Sequence, residues 1–132
     1  HSEAKKGGFK ADSYEDLKNS ISLFDSNRFL GEIPKVELIK GDATKTIPKY
    51  IKENQHLVIS LLYLDFDIYQ PTKIAIENFL PRMPKGSIIV FDEINNPDFV
   101  GEPKALLDTI GMSNLKIKRF SFNTFMSYAV LD

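Results

Sequence analysis

Four carboxylates stand at the ends of two apolar runs: Asp65 and Asp67 close LVISLLYLDFD, and Asp92 and Glu93 close SIIVFDE. Asp65 and Asp92 are 27 residues apart (92 minus 65), about the length of one strand–helix–strand unit. In such a unit both strands run the same way, so both acids reach the carboxyl edge of the sheet, and neighbouring strands lie ~4.8 Å apart. Two carboxylates that close repel each other and raise each other's pKa. A divalent cation between them removes the conflict, and an all-oxygen set favours magnesium, manganese or calcium over zinc. Glu93 offers a third oxygen. Acids also end strands simply because the chain re-enters water there. Four of them at two strand ends, at the edge where open α/β sheets bind their ligands, weigh against that plainer reading. Asp67 reads either as a group facing a ligand or as a cap for the helix that follows, and Tyr69 reads as packing.

The elements that must position these acids follow from periodicity and punctuation. Residues 57–64 are nearly all apolar without alternation, as in a parallel strand covered on both faces, and residues 87–91 form a second such strand. Pro71 opens a helix running to about residue 80, and Pro84-Lys85-Gly86 makes a turn. Upstream, residues 1–10 read as a loop. Residues 12–24 read as a helix with Ser13 and Asp16 at capping-box spacing and with Tyr14, Leu17, Ile21 and Phe24 on one face. Residues 36–39 read as a short strand that ends at Lys40-Gly41-Asp42-Ala43, and residues 48–53 as a short helix capped by Thr46. Downstream, a helix over residues 103–110 stops at Gly111. Residues 115–122 and 125–131 read as an antiparallel hairpin turning at Asn123-Thr124. Strands alternating with helices give an α/β fold with a mainly parallel sheet.

With 132 residues, 42% apolar and 27% charged, the chain has the profile of one globular domain. A net charge of -1 gives no electrostatic case for nucleic acid or an anionic membrane. No apolar run reaches the ~18 residues needed to span a bilayer. The absence of cysteine excludes zinc–thiolate sites and thiol catalysis. That absence and the polar opening HSEAKKGGFK, which is no signal peptide, fit a cytoplasmic protein. His1 and His56 form no metal or nucleophile pattern, and no GxxxxGK[ST] loop is present. An aspartate-x-aspartate after an apolar strand also opens haloacid dehalogenase-type phosphatases, but their later lysine and acids have no room here. In metal-dependent glycosyltransferases the same three-residue signal is too short to decide.

The stretch LLYLDFDIYQPTKIAIENFLPRMPKGSIIVFDE resembles the macrocin O-methyltransferase family of class I methyltransferases, which includes the aminocoumarin sugar methyltransferases. Members have a strand ending in D-x-D-x-Y, a helix leading to N-x-x-P-x-x-x-x-G-G, and an apolar strand ending in two acids. The resemblance covers residues 36–104 and is strongest over residues 65–93. It implies a Rossmann-like class I methyltransferase fold that uses S-adenosylmethionine and Mg2+ to methylate a hydroxyl on a sugar or related small molecule. It makes Asp65, Asp92 and Glu93 metal ligands and Asp67 the catalytic base. It sets Gly41, Asp42 and Ala43 beside the adenine of the cofactor. The chain departs from the family in two places: the acid pair is Asp92-Glu93 rather than Asp-Asp, and the Gly-Gly is Lys85-Gly86. The glycine-rich cofactor loop and the first two strands of the fold have no counterpart, so the chain is expected to be a single partial domain that binds S-adenosylmethionine weakly by itself. Homo-oligomerisation stays open. So do two other functions, a non-catalytic domain with a structural cation at the sheet edge and a metal-dependent glycosyltransferase.

Overall fold

The structure is a computed structural model that describes residues 13–132, so the loop expected over residues 1–10 lies outside the described residues. The chain forms two compact units, whose described parts are residues 13–40 and 41–132. No helix among the described residues is long and apolar enough to cross a membrane.

In the first unit, helix α1 spans Tyr14–Ser26 and buries none of its residues. Ser13 is its N-cap but makes no side-chain cap bond, so the capping box expected with Asp16 does not form. Residues 34–40 belong to no helix or strand, and Val36 and Ile39 are about half exposed. The strand expected over residues 36–39 is therefore absent. β-propensity describes fit to a neighbouring strand and cannot supply one.

The second unit carries the sheet. Helix α2 covers Ala43–Glu53 and begins earlier than Pro48, because Asp42 rather than Thr46 is its N-cap. Strand β1 (Leu61–Leu64), helix α3 (Tyr69–Phe79), strand β2 (Ile88–Phe91), helix α4 (Gly101–Asp108), and strands β3 (Lys118–Arg119) and β4 (Ser127–Val130) follow. The strand order is β1-β2-β4-β3. β1 and β2 are parallel neighbours, as expected, with Leu64 beside Phe91. β4 pairs antiparallel with β2 and with β3. Without a strand at residues 36–39, the described sheet is mixed rather than mainly parallel, while the α/β class holds.

The hairpin is shorter than its apolar pattern, but its turn lies where expected. Asn123 Oδ1 accepts from the backbone N–H groups of Phe125 and Met126, both at 2.9 Å. At the other end of the sheet, Gly86 takes a φ of 87°, and Ser87 N–H closes the turn onto Pro84 O at 3.0 Å. That positive φ suits glycine, so Lys85-Gly86 meets the turn's need without a second glycine.

The core lies on one side of the sheet, where Leu62, Leu64, Ile89 and Phe91 meet Ala75 and Ile76 of α3 and Ala105 and Leu106 of α4. Burial along β1 alternates, with Leu61 and Tyr63 exposed. Only one face of that strand is covered among the described residues, against the two-faced covering read from its unbroken apolar run.

Candidate functional site: an acidic cluster at the sheet edge

The register that sets Leu64 beside Phe91 sends Asp65 and Asp92 out of the same edge. Asp92 N–H still bonds Leu64 O at 3.1 Å, one step past the strands, so the two acids leave from a common backbone frame. Both Asp65 and Asp67 are held above the usual carboxylate range. Burial is the first cause for each. The Asp92 charge adds to both, and the Asp67 charge adds to Asp65. The electrostatics thus unite three of the acids named from the sequence.

Asp67 carries the most telling backbone. Its φ is 60°, and Ile68 N–H bonds Phe66 O at 2.6 Å across it, which makes a tight turn centred on Asp67. A non-glycine residue at positive φ in such a turn is strained. The strain is held in place by Gly101, the first residue of α4, which packs directly on this turn. A Cβ at Gly101 would stand 2.5 Å from Ile68 C and Tyr69 N and closer still to Asp67 O. Gly101→Ala should therefore force the Asp67 turn and α4 apart. The expected cost is about 1–3 kcal/mol, typical of overpacking, read as a lower denaturant midpoint. A midpoint equal to wild type would show that this contact does not matter.

Asp67 also faces a cleft of about 210 Å3 whose wall includes Tyr69, Asp98, Val100 and Lys104. Tyr69 donates its hydroxyl to Asp108 Oδ2 at 2.8 Å. The ammonium groups of Lys104 and Lys73 lie 5.0 and 5.7 Å from its ring centre. Tyr69 is thus a fixed wall of the cleft as well as a packing residue. On the other strand, Tyr63 donates its hydroxyl to Asp92 Oδ1. That bond, burial and the surrounding acids raise the phenol's pKa strongly, so Tyr63 serves as a donor that orients Asp92.

Glu93, the third ligand expected, accepts at Oε2 from Asn96 Nδ2 at 2.8 Å. Among the described residues no three His, Cys, Asp or Glu side chains are gathered in metal-holding geometry. Gly41, Asp42 and Ala43 sit at the start of α2. There Asp42 Oδ1 accepts from the N–H and hydroxyl of Thr44 at 3.0 and 2.8 Å, so Asp42 is at least a helix cap.

Sequence reading missed Glu102. It is fully buried (0% exposed). Its Oε2 accepts from Glu93 N–H at 3.0 Å, while its Oε1 has no partner. Leaving a buried acceptor unmade costs about 1–3 kcal/mol. Burial pushes the carboxyl up to about 7 against the opposing pull of the Glu93 N–H, and the Asp92, Asp65 and Asp67 charges push the same way. Gly101-Glu102-Pro103 was the available signal, since proline in a helix's first turn marks a start just upstream.

These raised carboxyls set a pH dependence. Glu102 binds its proton more tightly folded than unfolded, so its contribution to stability is full below about pH 4.5 and is lost as pH rises through about 7. In metal-free buffer, stability should fall across that window, and Glu102→Gln should flatten the fall. Parallel melting curves against pH for the two proteins would contradict this.

Neither a protein-family profile nor any curated protein matches the chain. Solved structures do. The calicheamicin methyltransferase CalS11 superposes with a TM-score of 0.86 and 31% identity, over 92% of this chain and 48% of that one. The apo structure of CalS11, there called a TDP-rhamnose 3'-O-methyltransferase, gives 0.86 and 30% over 94% and 54%. The chain spans about half the length of these structures. In fold, and at about 30% sequence identity, it is similar to these sugar O-methyltransferase structures.

Proposed function

We propose that the protein transfers a methyl group from S-adenosylmethionine to a hydroxyl of a sugar or related small molecule, with a divalent cation, Mg2+ by preference, at the sheet edge. The observation that carries this reading is Asp67, strained and half-buried beside Asp65 and Asp92 on the wall of an open cleft. Strain of this kind persists where surrounding structure enforces it, and it clusters at working sites. The TDP-rhamnose 3'-O-methyltransferase activity stated for CalS11 supports a sugar as acceptor.

Asp65 and Asp92 would hold the cation, and the unpartnered buried oxygen of Glu102 beside them fits positive charge there. Magnesium, when bound, supplies Lewis-acid charge that lowers the acceptor hydroxyl's pKa. Tyr63 keeps Asp92 oriented. Asp67 accepts the hydroxyl proton, and its raised pKa makes it a better base than an ordinary carboxylate. The methyl carbon passes from sulfur to the acceptor oxygen while sulfur keeps the electron pair of the broken bond. The sulfonium needs no acid, so the remaining task is alignment. Gly41, Asp42 and Ala43, at the start of α2, would lie along the adenine side.

Calorimetry with S-adenosylhomocysteine and the full-length protein tests the donor half of this reading. Saturable one-to-one binding is expected. Binding of a nucleotide sugar with none of S-adenosylhomocysteine would favour glycosyl transfer instead.

A further inference from the structure

We infer that the cleft beside Asp67 is a subsite for one sugar ring, in which Asp98 and Lys104 together hold a hydroxyl next to the one that is methylated. The inference rests on the methyl-transfer reading above and narrows the acceptor to a ring with neighbouring free hydroxyls. At about 210 Å3 the cleft is smaller than the ~300–1,000 Å3 of sites for drug-sized ligands, so it suits one ring rather than a longer glycan. Asp67, Asp98 and Lys104 all line it, and Tyr69 and Val100 give it a less polar wall. Asp98 and Lys104 are exposed and carry opposite charges, yet among the described residues neither makes an ion pair. Unlike charges that share a small cleft without meeting leave an acceptor and a donor for a ligand group. A hydroxyl serves both, because it donates to a carboxylate and accepts from an ammonium. A charged group in the same place would satisfy one and be repelled by the other.

The walls of the cleft are fixed. The Tyr69 hydroxyl is tied to Asp108 Oδ2 at 2.8 Å, and the Lys104 ammonium lies 5.0 Å from the Tyr69 ring centre, a contact that steadies the lysine. Lys73, the other cation at that ring, pairs with Glu77 at 3.9 Å. Gly101 stands three residues before Lys104, on the same face of α4, and packs on the turn centred on Asp67, where a Cβ would meet Ile68 C at 2.5 Å. That close approach locks the helix carrying Lys104 against the turn carrying Asp67. Exposed charges ordinarily just meet water. These two differ in sharing one concave wall with a strained carboxylate and a fixed aromatic ring, the mix of apolar surface and few placed polar groups that marks a small-molecule site.

Nuclear magnetic resonance titrations of the full-length protein with methyl hexopyranosides, and with the monodeoxy forms of each, test the inference. One hydroxyl position should matter most, and the sugar lacking it should bind wild type roughly 10-fold more weakly, as expected for a hydrogen bond to a charged group. Lys104→Met and Asp98→Ala should each lose about as much for the parent sugar and almost nothing for that deoxy sugar. Both side chains are exposed, so both variants should melt near wild type. Equal losses for parent and deoxy sugars in the two variants, or no loss in either, would overturn the inference. So would failure of every hexopyranoside to bind wild type. Sugars that bind in the expected pattern but never receive label from S-adenosylmethionine would instead bring down the methyl-transfer reading and leave the subsite standing.

Discussion

Asp67→Asn is expected to slow the chemical step by roughly 10²–10⁴-fold, the usual worth of a general base. Asparagine is nearly isosteric and tolerates positive φ, so the turn centred on Asp67 should survive. Gly101 would still pack on it, and the cleft would keep its shape. Metal and cofactor binding should stay close to wild type, and raising the pH should recover part of the rate as more of the acceptor ionises without help. Single-turnover kinetics across pH would show this. Loss of metal binding in Asp67→Asn, repaired by excess magnesium, would instead make Asp67 a ligand.

Asp65→Asn should fail in the other way. Asp65 leaves β1 directly, held beside Asp92 by the strand register and the Asp92–Leu64 backbone bond. Removing its charge should weaken cation affinity by more than the roughly 10- to 100-fold that losing an outer-shell partner costs. Excess magnesium should restore part of the activity, and the pH profile should keep its shape. A variant with wild-type affinity for the ion would remove Asp65 from the ligand set.

The parts of this site that could be read from the sequence are those set by short-range pattern. Two unbroken apolar runs 27 residues apart, each ending in acids, are enough to make β1 and β2 parallel neighbours with Asp65 and Asp92 at one edge. What escaped depends on long-range packing. Residues 36–39 have the composition of a strand but no described strand pairs with them, and no local pattern reveals a missing partner. The onset of α2 was misplaced because Pro48 looks like a first-turn proline, whereas Asp42 caps the helix upstream.

Glu102 reads in sequence as an ordinary first-turn acid that complements a helix dipole. Only the fold shows it buried, bonded to Glu93 and left with one unpartnered oxygen. Likewise, only the fold shows that the carboxylate of Glu93 accepts from Asn96.

The most direct test of methyl transfer at an acidic cation site is an assay with methyl-labelled S-adenosylmethionine, the full-length protein and a panel of sugar acceptors. Wild type should move label to the sugar. Excess chelator should abolish the transfer and added magnesium should restore it. Label transfer that continues unchanged in chelator, or label that never leaves the donor whichever hydroxyl compound is offered, would contradict the account.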